Sequence, residues 1–301
     1  MEAVKKIIIF ISIFSIFITF SANYYFEFIG LGDPVRYDKD FVYGFAPKVN
    51  QKKKRFKNSN ITINESGLRS VNNWKDSKKE KILFIGDSVT YGGSYIDDKQ
   101  IFSYLVCNEL EKFICGNAGV NAYGIINMVN RSRYDERIHD ADIVIFLVSG
   151  FNFLREYANS YIAHFYMNSQ KFFLPGLMEA ISFVFTKYDI NNILSKKDDT
   201  KKYNHHKELV EYSIEQLIFE IERLKKNNKK VRILYSVEKN SNPSTKKLNQ
   251  YIYNFLNHKL DDLYSLEDTL KKKEYFVDNA HLSPKGHAVV AKKIISILTS
   301  N

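Results

Sequence analysis

The chain has 301 residues, 45% of them hydrophobic and 15% aromatic, which is enough to bury one sizeable core and excludes disordered and fibrous proteins. Its formal net charge is +10, but the basic residues are spread along the chain without a nucleic-acid-binding motif, so we expect no nucleic-acid partner. Basic residues cluster near 52–55 and 78–81, where an anionic lipid or an acidic glycan could bind.

The N-terminus predicts an export signal or a membrane anchor. Lys5 and Lys6 precede an uncharged apolar run that extends over residues 7–20. A helix over residues 4–25 would be about 33 Å long, enough to cross a hydrocarbon core of about 30 Å. Thr19 and Ser21 are a poor match to a signal-peptidase site, which favours an uncleaved anchor over a cleaved signal.

The flanks of this segment predict its orientation. Lysines before the run and aromatic residues after it place the N-terminus in the cytoplasm and the remainder outside. We therefore expect residues 1–29 to be an anchor or signal in a bacterial cytoplasmic membrane. The chain would cross this membrane once, or would be secreted if the segment is cleaved.

Residues 30–80 are polar and mixed, with turn residues at Gly32-Asp33-Pro34 and short apolar fragments at 41–43 and 61–63. This pattern predicts an extended N-terminal arm that carries a small hairpin and packs on the main domain.

Residues 81–301 are predicted to form one α/β domain. An apolar run at 81–86 has the length of a buried parallel strand and ends at Gly-Asp-Ser. Further strands are predicted at 113–117, 142–149 and 230–237, and helices near 99–112, 124–137, 206–226, 244–258 and 284–298. This alternation indicates an open parallel sheet with helices on both faces.

The alternation stops at about 153–203, where aromatic residues such as Phe165, Phe173 and Phe183 accumulate. This stretch predicts a helical insertion. Its aromatic side chains either form a lid or acceptor-binding surface over the active site or pack inward as additional core.

The cysteines and histidines do not indicate a metal site. Cys107 and Cys115 form no C-x-x-C motif or Cys/His array, so we expect no metal and no cofactor. The two cysteines either form a disulfide between a helix and the next strand or remain two buried thiols. His205 and His206 have no metal-ligand spacing and are expected at the surface, while His287 is expected to be structural.

Ser88 is the predicted nucleophile, in the segment 86–92 at the end of the first buried strand, where open α/β sheets bind ligands. A serine needs a base and a group that orients this base. His281 and Asp278, in a loop before the closing helix, can serve as base and orienting acid. Alone, each motif could be a turn or a helix cap, but together they predict a catalytic triad. Thr90 disfavours the Gly-x-Ser-x-Gly elbow of α/β-hydrolases.

With these motifs, residues 81–298 resemble the SGNH/GDSL hydrolase family. The resemblance implies a flavodoxin-like three-layer α/β/α sandwich and an oxyanion hole with three donors: the N–H of Ser88, the N–H of Ala122 and the side-chain amide of Asn152. Ala122 stands where the family has glycine, and its N–H can donate provided that its φ is negative. Phe153 replaces the usual aspartate of the Gly-x-Asn-Asp block.

Three functions remain open at this stage. The first is an extracytoplasmic esterase that removes acyl groups, above all O-acetyl groups, from a cell-envelope or secreted glycan or from a small ester. The second is a polysaccharide O-acetyltransferase with the same acyl-enzyme on Ser88. The third is an inactive glycan-binding or scaffold subunit, which the departures at Ala122 and Phe153 would allow. The sequence identifies no protein partner.

Overall fold

The computed structural model describes residues 2–157, 173–188, 199–236 and 243–300. Helix α1, Glu2–Phe28, is the one helix among these residues that is long and apolar enough to cross a membrane, with a mean hydropathy of 2.1. None of its residues is buried against the rest of the protein. Because α1 is N-terminal, its length and composition suit a signal sequence as well as a membrane span.

The arm contains two hairpins where the sequence predicted one. Both pairs are antiparallel: β1, Tyr37–Asp40, with β2, Gly44–Pro47, and β3, Gln51–Lys54, with β4, Asn60–Ile63. The arm packs on the main domain, as predicted, because Phe45, Ile61 and Ile63 are buried in its core. Arg69 is also buried and donates a hydrogen bond from Nε to Asp98 Oδ1 at 3.0 Å, which fixes the end of the arm to the loop beyond Ser88.

The main domain is built on an open sheet in which all five described strands are parallel. The strands are β5, Glu80–Gly86; β6, Phe113–Asn117; β7, Ile143–Ser149; β8, Lys230–Ser236; and β9, Leu263–Ser265. Their spatial order is β6-β5-β7-β8-β9, which is the flavodoxin-like order. The structure therefore confirms the predicted parallel sheet and adds β9, a strand of three residues.

Helices cover both faces of the sheet, as predicted. The helices that follow α1 are α2, Ser88–Tyr91; α3, Phe102–Glu109; α4, Ile125–Tyr134; α5, Gly150–Phe153; α6, Pro175–Tyr188; α7, Asp199–Lys226; α8, Pro243–Lys259; and α9, Pro284–Thr299. The side chains of β5 alternate between two core clusters, with Leu83 and Ile85 on the α4 and α7 side and Ile82 and Phe84 on the α3 and α9 side. This alternation follows from the two-residue period of a strand that is buried on both faces.

A disulfide joins Cys107 in α3 to Cys115 in β6, with Cα atoms 5.8 Å apart. Of the two alternatives left open for these cysteines, the structure therefore has the disulfide.

The described part of the insertion consists of residues 153–157, α6 and the start of α7, which begins seven residues before the predicted position at 206. Most of the aromatic residues of this stretch, such as Phe165, lie outside the described residues. Phe173 and Phe183 are 83% and 55% exposed. These two side chains therefore do not pack into the core, which was one of the two alternatives for the insertion.

Candidate active site

Ser88 is positioned by the sharp passage from β5 into α2. Asp87 caps α2, its Oδ1 accepting a hydrogen bond from Val89 N at 2.9 Å, and Gly92 ends α2 with a φ of 90°. A side chain at Gly86 would collide with Thr90 Oγ1 and with the Leu147 carbonyl of β7, so this turn requires glycine. As a result, Ser88 begins α2 at the carboxyl end of β5 and is partly exposed.

Asp278 and His281 lie in a tight loop in front of α9. The N–H of Val277 donates to the carbonyl of His281 at 2.9 Å, and an isolated bridge pairs Phe276 with Leu282. Within this loop, Asp278 Oδ1 accepts hydrogen bonds from the N–H of Ala280 at 2.9 Å and from that of His281 at 2.7 Å. The loop therefore fixes the carboxylate before it contacts the imidazole.

The structure brings the three predicted triad residues together, although 193 residues separate Ser88 from His281. Ser88 Oγ lies 2.9 Å from His281 Nε2, and His281 Nδ1 lies 2.7 Å from Asp278 Oδ2. Both distances are within hydrogen-bond reach. This geometry allows Nε2 to accept the hydroxyl proton while Nδ1–H donates to the carboxylate.

Hydrogen bonds stabilise the ionised form of Asp278, which is the form that orients the His281 ring. Partial burial acts to raise the pKa of Asp278, but hydrogen bonds from the backbone N–H groups of His281 and Ala280 and from the His281 ring outweigh it and lower this pKa below its usual value. The side chains of Asp278 and His281 are 54% and 34% exposed, so the triad is open to solvent.

Asn152 is buried beside the nucleophile turn. Its amide nitrogen donates to Asp87 Oδ2 at 2.8 Å and to the Tyr123 carbonyl at 3.3 Å. Its Oδ1 accepts from the N–H of Ser149 at 2.7 Å. Asn152 therefore holds Asp87, and a substrate oxyanion could attract its amide only in place of the longer contact to Tyr123. Phe153, at the position of the family's aspartate, is fully buried in the core.

Ala122 does not meet the condition set for it from the sequence, because its φ is +68° rather than negative. It adopts the left-handed conformation that glycine adopts without strain. Among the described residues, the N–H groups of Ala122 and Ser88 have no hydrogen-bond partner. The backbone has thus kept the conformation expected of glycine and carries the strain of an added Cβ.

Arg155 is a site residue that the sequence analysis missed. Its Nη1 lies 3.0 Å from Asp87 Oδ2 and 3.0 Å from the Tyr123 carbonyl. Its guanidinium also stacks on the ring of Phe151, with 4.6 Å to the centroid. Arg155 follows Asn152 by three residues, but an arginine in a loop gives no sequence signal for a partner 68 positions away.

Two other residues define the surroundings of the triad. Tyr95 donates from its hydroxyl to the Leu282 carbonyl at 3.4 Å, and burial together with the charge of Asp278 raises its pKa. His287 is fully buried, accepts a hydrogen bond at Nδ1 from the N–H of Phe102 at 3.2 Å and stacks on the Phe102 ring. These contacts give His287 the structural role expected from the sequence, whereas the side chains of His205 and His206 lie outside the described ones.

Comparison with known proteins gives matches only among solved structures. No family model matches the sequence, and no curated protein matches it. An acetyl xylan esterase is 18% identical, with 72% of this chain and 99% of that chain covered and a TM-score of 0.45. An acetylxylan esterase from Geobacillus stearothermophilus is 14% identical over 76% and 98%, with a TM-score of 0.45. A lipolytic protein of the G-D-S-L family from Veillonella parvula is 13% identical over 74% and 100%, with a TM-score of 0.43.

Proposed function

We propose that the chain is a serine esterase of the SGNH/GDSL type, held outside the cytoplasmic membrane by α1. The observation that supports this most strongly is the continuous contact from Ser88 Oγ through the His281 ring to the Asp278 carboxylate, at 2.9 and 2.7 Å. A serine hydroxyl becomes a useful nucleophile only next to a base that is itself oriented by a third group.

The proposed reaction has two steps. Ser88 Oγ attacks the ester carbonyl carbon while His281 Nε2 takes the hydroxyl proton, and the protonated ring then gives this proton to the leaving alcohol. The acyl group remains on Ser88 as an ester. A water molecule, deprotonated by His281, attacks this ester and releases the carboxylic acid, and Ser88 regains its proton.

The free N–H groups supply the proposed oxyanion hole. The backbone N–H of Ser88 and that of Ala122 are without partners among the described residues. Although the φ of Ala122 is positive, its backbone has the left-handed conformation that glycine adopts without strain, so we assign both N–H groups as donors to the negative oxygen that forms during attack. The Asn152 amide joins them when it exchanges its 3.3 Å contact to Tyr123 for the substrate oxygen. Such donors stabilise the transition state more than the neutral ester.

We further propose that the substrate is a small acyl group, above all acetyl, on a glycan outside the cytoplasm. The exposure of Asp278 and His281 supports a site that a bulky, polar carrier can reach. Next to Asn152, the ring of Phe151 is 44% exposed, and an exposed aromatic face suits contact with the apolar face of a sugar ring. The predicted export segment supports the location.

The test uses the full-length chain in detergent with an activated aryl acetate, with and without O-acetylated or unmodified oligosaccharides. We expect acetate release to fall by about 10⁴-fold or more in Ser88→Ala. Acetyl groups that appear on the unmodified sugar would favour the O-acetyltransferase, which shares the acyl-enzyme. Equal rates for wild type and Ser88→Ala in every arm would contradict both enzymes and favour a non-catalytic glycan-binding subunit.

A further inference from the structure

Helix α6 presents an apolar face to its surroundings instead of burying it. Ile181, Phe183 and Val184 are 40%, 55% and 51% exposed, and Phe173 just before the helix is 83% exposed. A contiguous apolar face of this kind marks a site of interaction with a protein, a ligand or a membrane.

This face adjoins the end of α1. The N–H of Leu177 donates to Asn23 Oδ1 at 3.1 Å, and the rings of Phe173 and Phe20 meet edge to face with centroids 5.9 Å apart. A Cβ at Gly176 would lie 2.8 Å from the Asn23 carbonyl oxygen, so glycine allows the two helices to touch. Helix α6 therefore crosses the last turns of α1, where a membrane span would leave the bilayer.

A buried ion pair holds α6 in this position. Arg55 of the arm and Glu179 of α6 are 3% and 2% exposed, with Arg55 Nη1 3.1 Å from Glu179 Oε2. The same carboxylate oxygen accepts the N–H of Gly32 at 2.6 Å, just beyond α1. Because a buried charge that loses its partner is strongly unfavourable, α6, the arm and the end of α1 form one junction, and the outward face of α6 has a defined direction.

The apolar surface continues from α6 across this junction. An open cleft of about 480 Å³ lies between α1, the arm and α6. Its lining is apolar, with Phe26 from α1, Leu31 and Phe56 from the arm, and Ile181, Phe183 and Val184 from α6. The apolar face of α6 is thus continuous with the apolar surface of α1.

The arm segment that contributes Phe56 to the cleft also carries exposed lysines. Lys57 follows Phe56 directly, and Lys54 precedes the buried Arg55. Lys52, two residues before Lys54 in β3, is also exposed. Basic residues next to an apolar surface are the arrangement by which in-plane helices bind anionic lipid interfaces.

We propose that α6 is an interfacial helix whose apolar face lies in the outer leaflet of the bilayer that α1 crosses. Phospholipid acyl chains cover Phe173, Ile181, Phe183 and Val184, and the headgroups meet the lysines of the arm. This inference rests on the proposed membrane anchor and is independent of the catalytic proposal. The continuity with α1 and the exposed lysines of the same arm segment favour lipid over a second copy of the chain.

The test places an environment-sensitive nitrobenzoxadiazole label on the full-length chain in nanodiscs. Phe183→Cys and Val184→Cys carry the label on α6, and labelling leaves Cys107 and Cys115 unmodified because they form a disulfide. Tyr251→Cys on α8, 49% exposed in the wild type, is the matched control for an exposed aromatic residue. Phe14→Cys reports whether α1 lies in the bilayer, and acetate release by the same samples tests the catalytic proposal separately.

We expect lipids that carry a quencher near the headgroup to quench the labels at 183 and 184 several-fold more strongly than the label at 251. A deep-lying quencher should act on the label at 14. Equal quenching at 183, 184 and 251 would overturn the proposal. If the fluorescence emission of the label at 183 were blue-shifted but the label were insensitive to lipid-borne quenchers, the proposal would be overturned as well. That result would indicate a protein partner such as a second copy of the chain.

The lysines are tested in the same assay. In the labelled Phe183→Cys protein with all its lysines, phosphatidylglycerol mixed into the phosphatidylcholine nanodiscs should increase the quenching of the label by the headgroup quencher. Replacement of Lys52, Lys54 and Lys57 by Gln should abolish this increase. An increase of the same size in the triple variant would overturn the assignment of these lysines to the headgroups.

Discussion

The guanidinium of Arg155 lies 3.0 Å from Oδ2 of Asp87, the residue immediately before Ser88. The opposite carboxylate oxygen of Asp87 accepts the N–H of Val89. Asp87 is thus held from two sides, and through it the first turn of α2 is tied to the loop that follows β7. This link fixes the N–H and the hydroxyl of the candidate nucleophile relative to the loop of Asn152.

Replacement of Arg155 tests this positioning role. We expect Arg155→Ala to lower kcat by about tenfold to a hundredfold, because small displacements of reacting groups have effects of this size. KM for a small aryl acetate should change little, since Arg155 does not bind that substrate in our proposal. Arg155→Lys, which retains one charge but not the planar fork, should recover part of the loss. An increase in KM with no change in kcat would contradict this positioning role. An unchanged kcat in a variant with the wild-type thermal midpoint would contradict it as well.

Removal of the Asn152 amide tests the oxyanion hole. We expect Asn152→Ala to lower kcat on the order of a hundredfold, because loss of one such donor costs about 2.7–4 kcal/mol in the transition state. Since Asn152 also holds Asp87, the thermal midpoint is measured alongside the steady-state kinetics. A folded variant with near-normal turnover would remove Asn152 from the mechanism.

Ala122→Gly should relieve backbone strain. At a φ of +68° an alanine is about 1 kcal/mol less stable than glycine, so the substitution should raise the free energy of unfolding by about that amount. Activity should not fall, because the N–H keeps its direction. Ala288→Gly, in the interior of α9, is the control and should lower stability by about 0.5–1 kcal/mol. A loss of stability in Ala122→Gly equal to that of the control would contradict the observed conformation.

His287 should make the protein sensitive to acid. Burial, assisted by the charge of Arg69, lowers the pKa of His287 to about 3, whereas in the unfolded chain it is about 6.5. Below about pH 6.5 the unfolded state therefore binds a proton that the folded state does not, and stability falls until about pH 3. Between pH 7 and pH 4 this contributes a loss of about 3 kcal/mol.

The measurement is the unfolding free energy as a function of pH for the wild type and His287→Gln. Glutamine does not titrate and can still accept the hydrogen bond from the N–H of Phe102. We expect a shallower loss in the variant between pH 6.5 and pH 4. Parallel curves over this interval would show that His287 is not the group responsible.

Much of the sheet and the triad could be predicted because their signals are local. The apolar run of β5 ends at Gly-Asp-Ser, and the loop of Asp278 and His281 stands directly before a helix that begins with proline. The structure also contains strands that the sequence did not predict, because they depend on residues distant in the chain. Strand β3 is rich in lysine and forms a strand only because it pairs with β4, and β9 is too short to show a period.

The details of the oxyanion region depend still more on tertiary contacts. Ala122, with its positive φ, lies two residues before Gly124, where an added Cβ would collide with the backbone of Arg155. The two acceptors of the Asn152 amide, Asp87 and Tyr123, come from two other loops. No pattern within residues 150–155 encodes either partner.

The assignment of Ser88 as nucleophile is tested most directly with a fluorophosphonate probe, which reacts covalently with activated serines. Peptide mass spectrometry of the labelled full-length chain should find the probe on Ser88, and labelling should require His281, whose Nε2 lies 2.9 Å from the hydroxyl. Ser88→Ala should remain unlabelled and lose acetate release. A probe found on another serine, or hydrolysis by Ser88→Ala at the wild-type rate, would contradict the assignment.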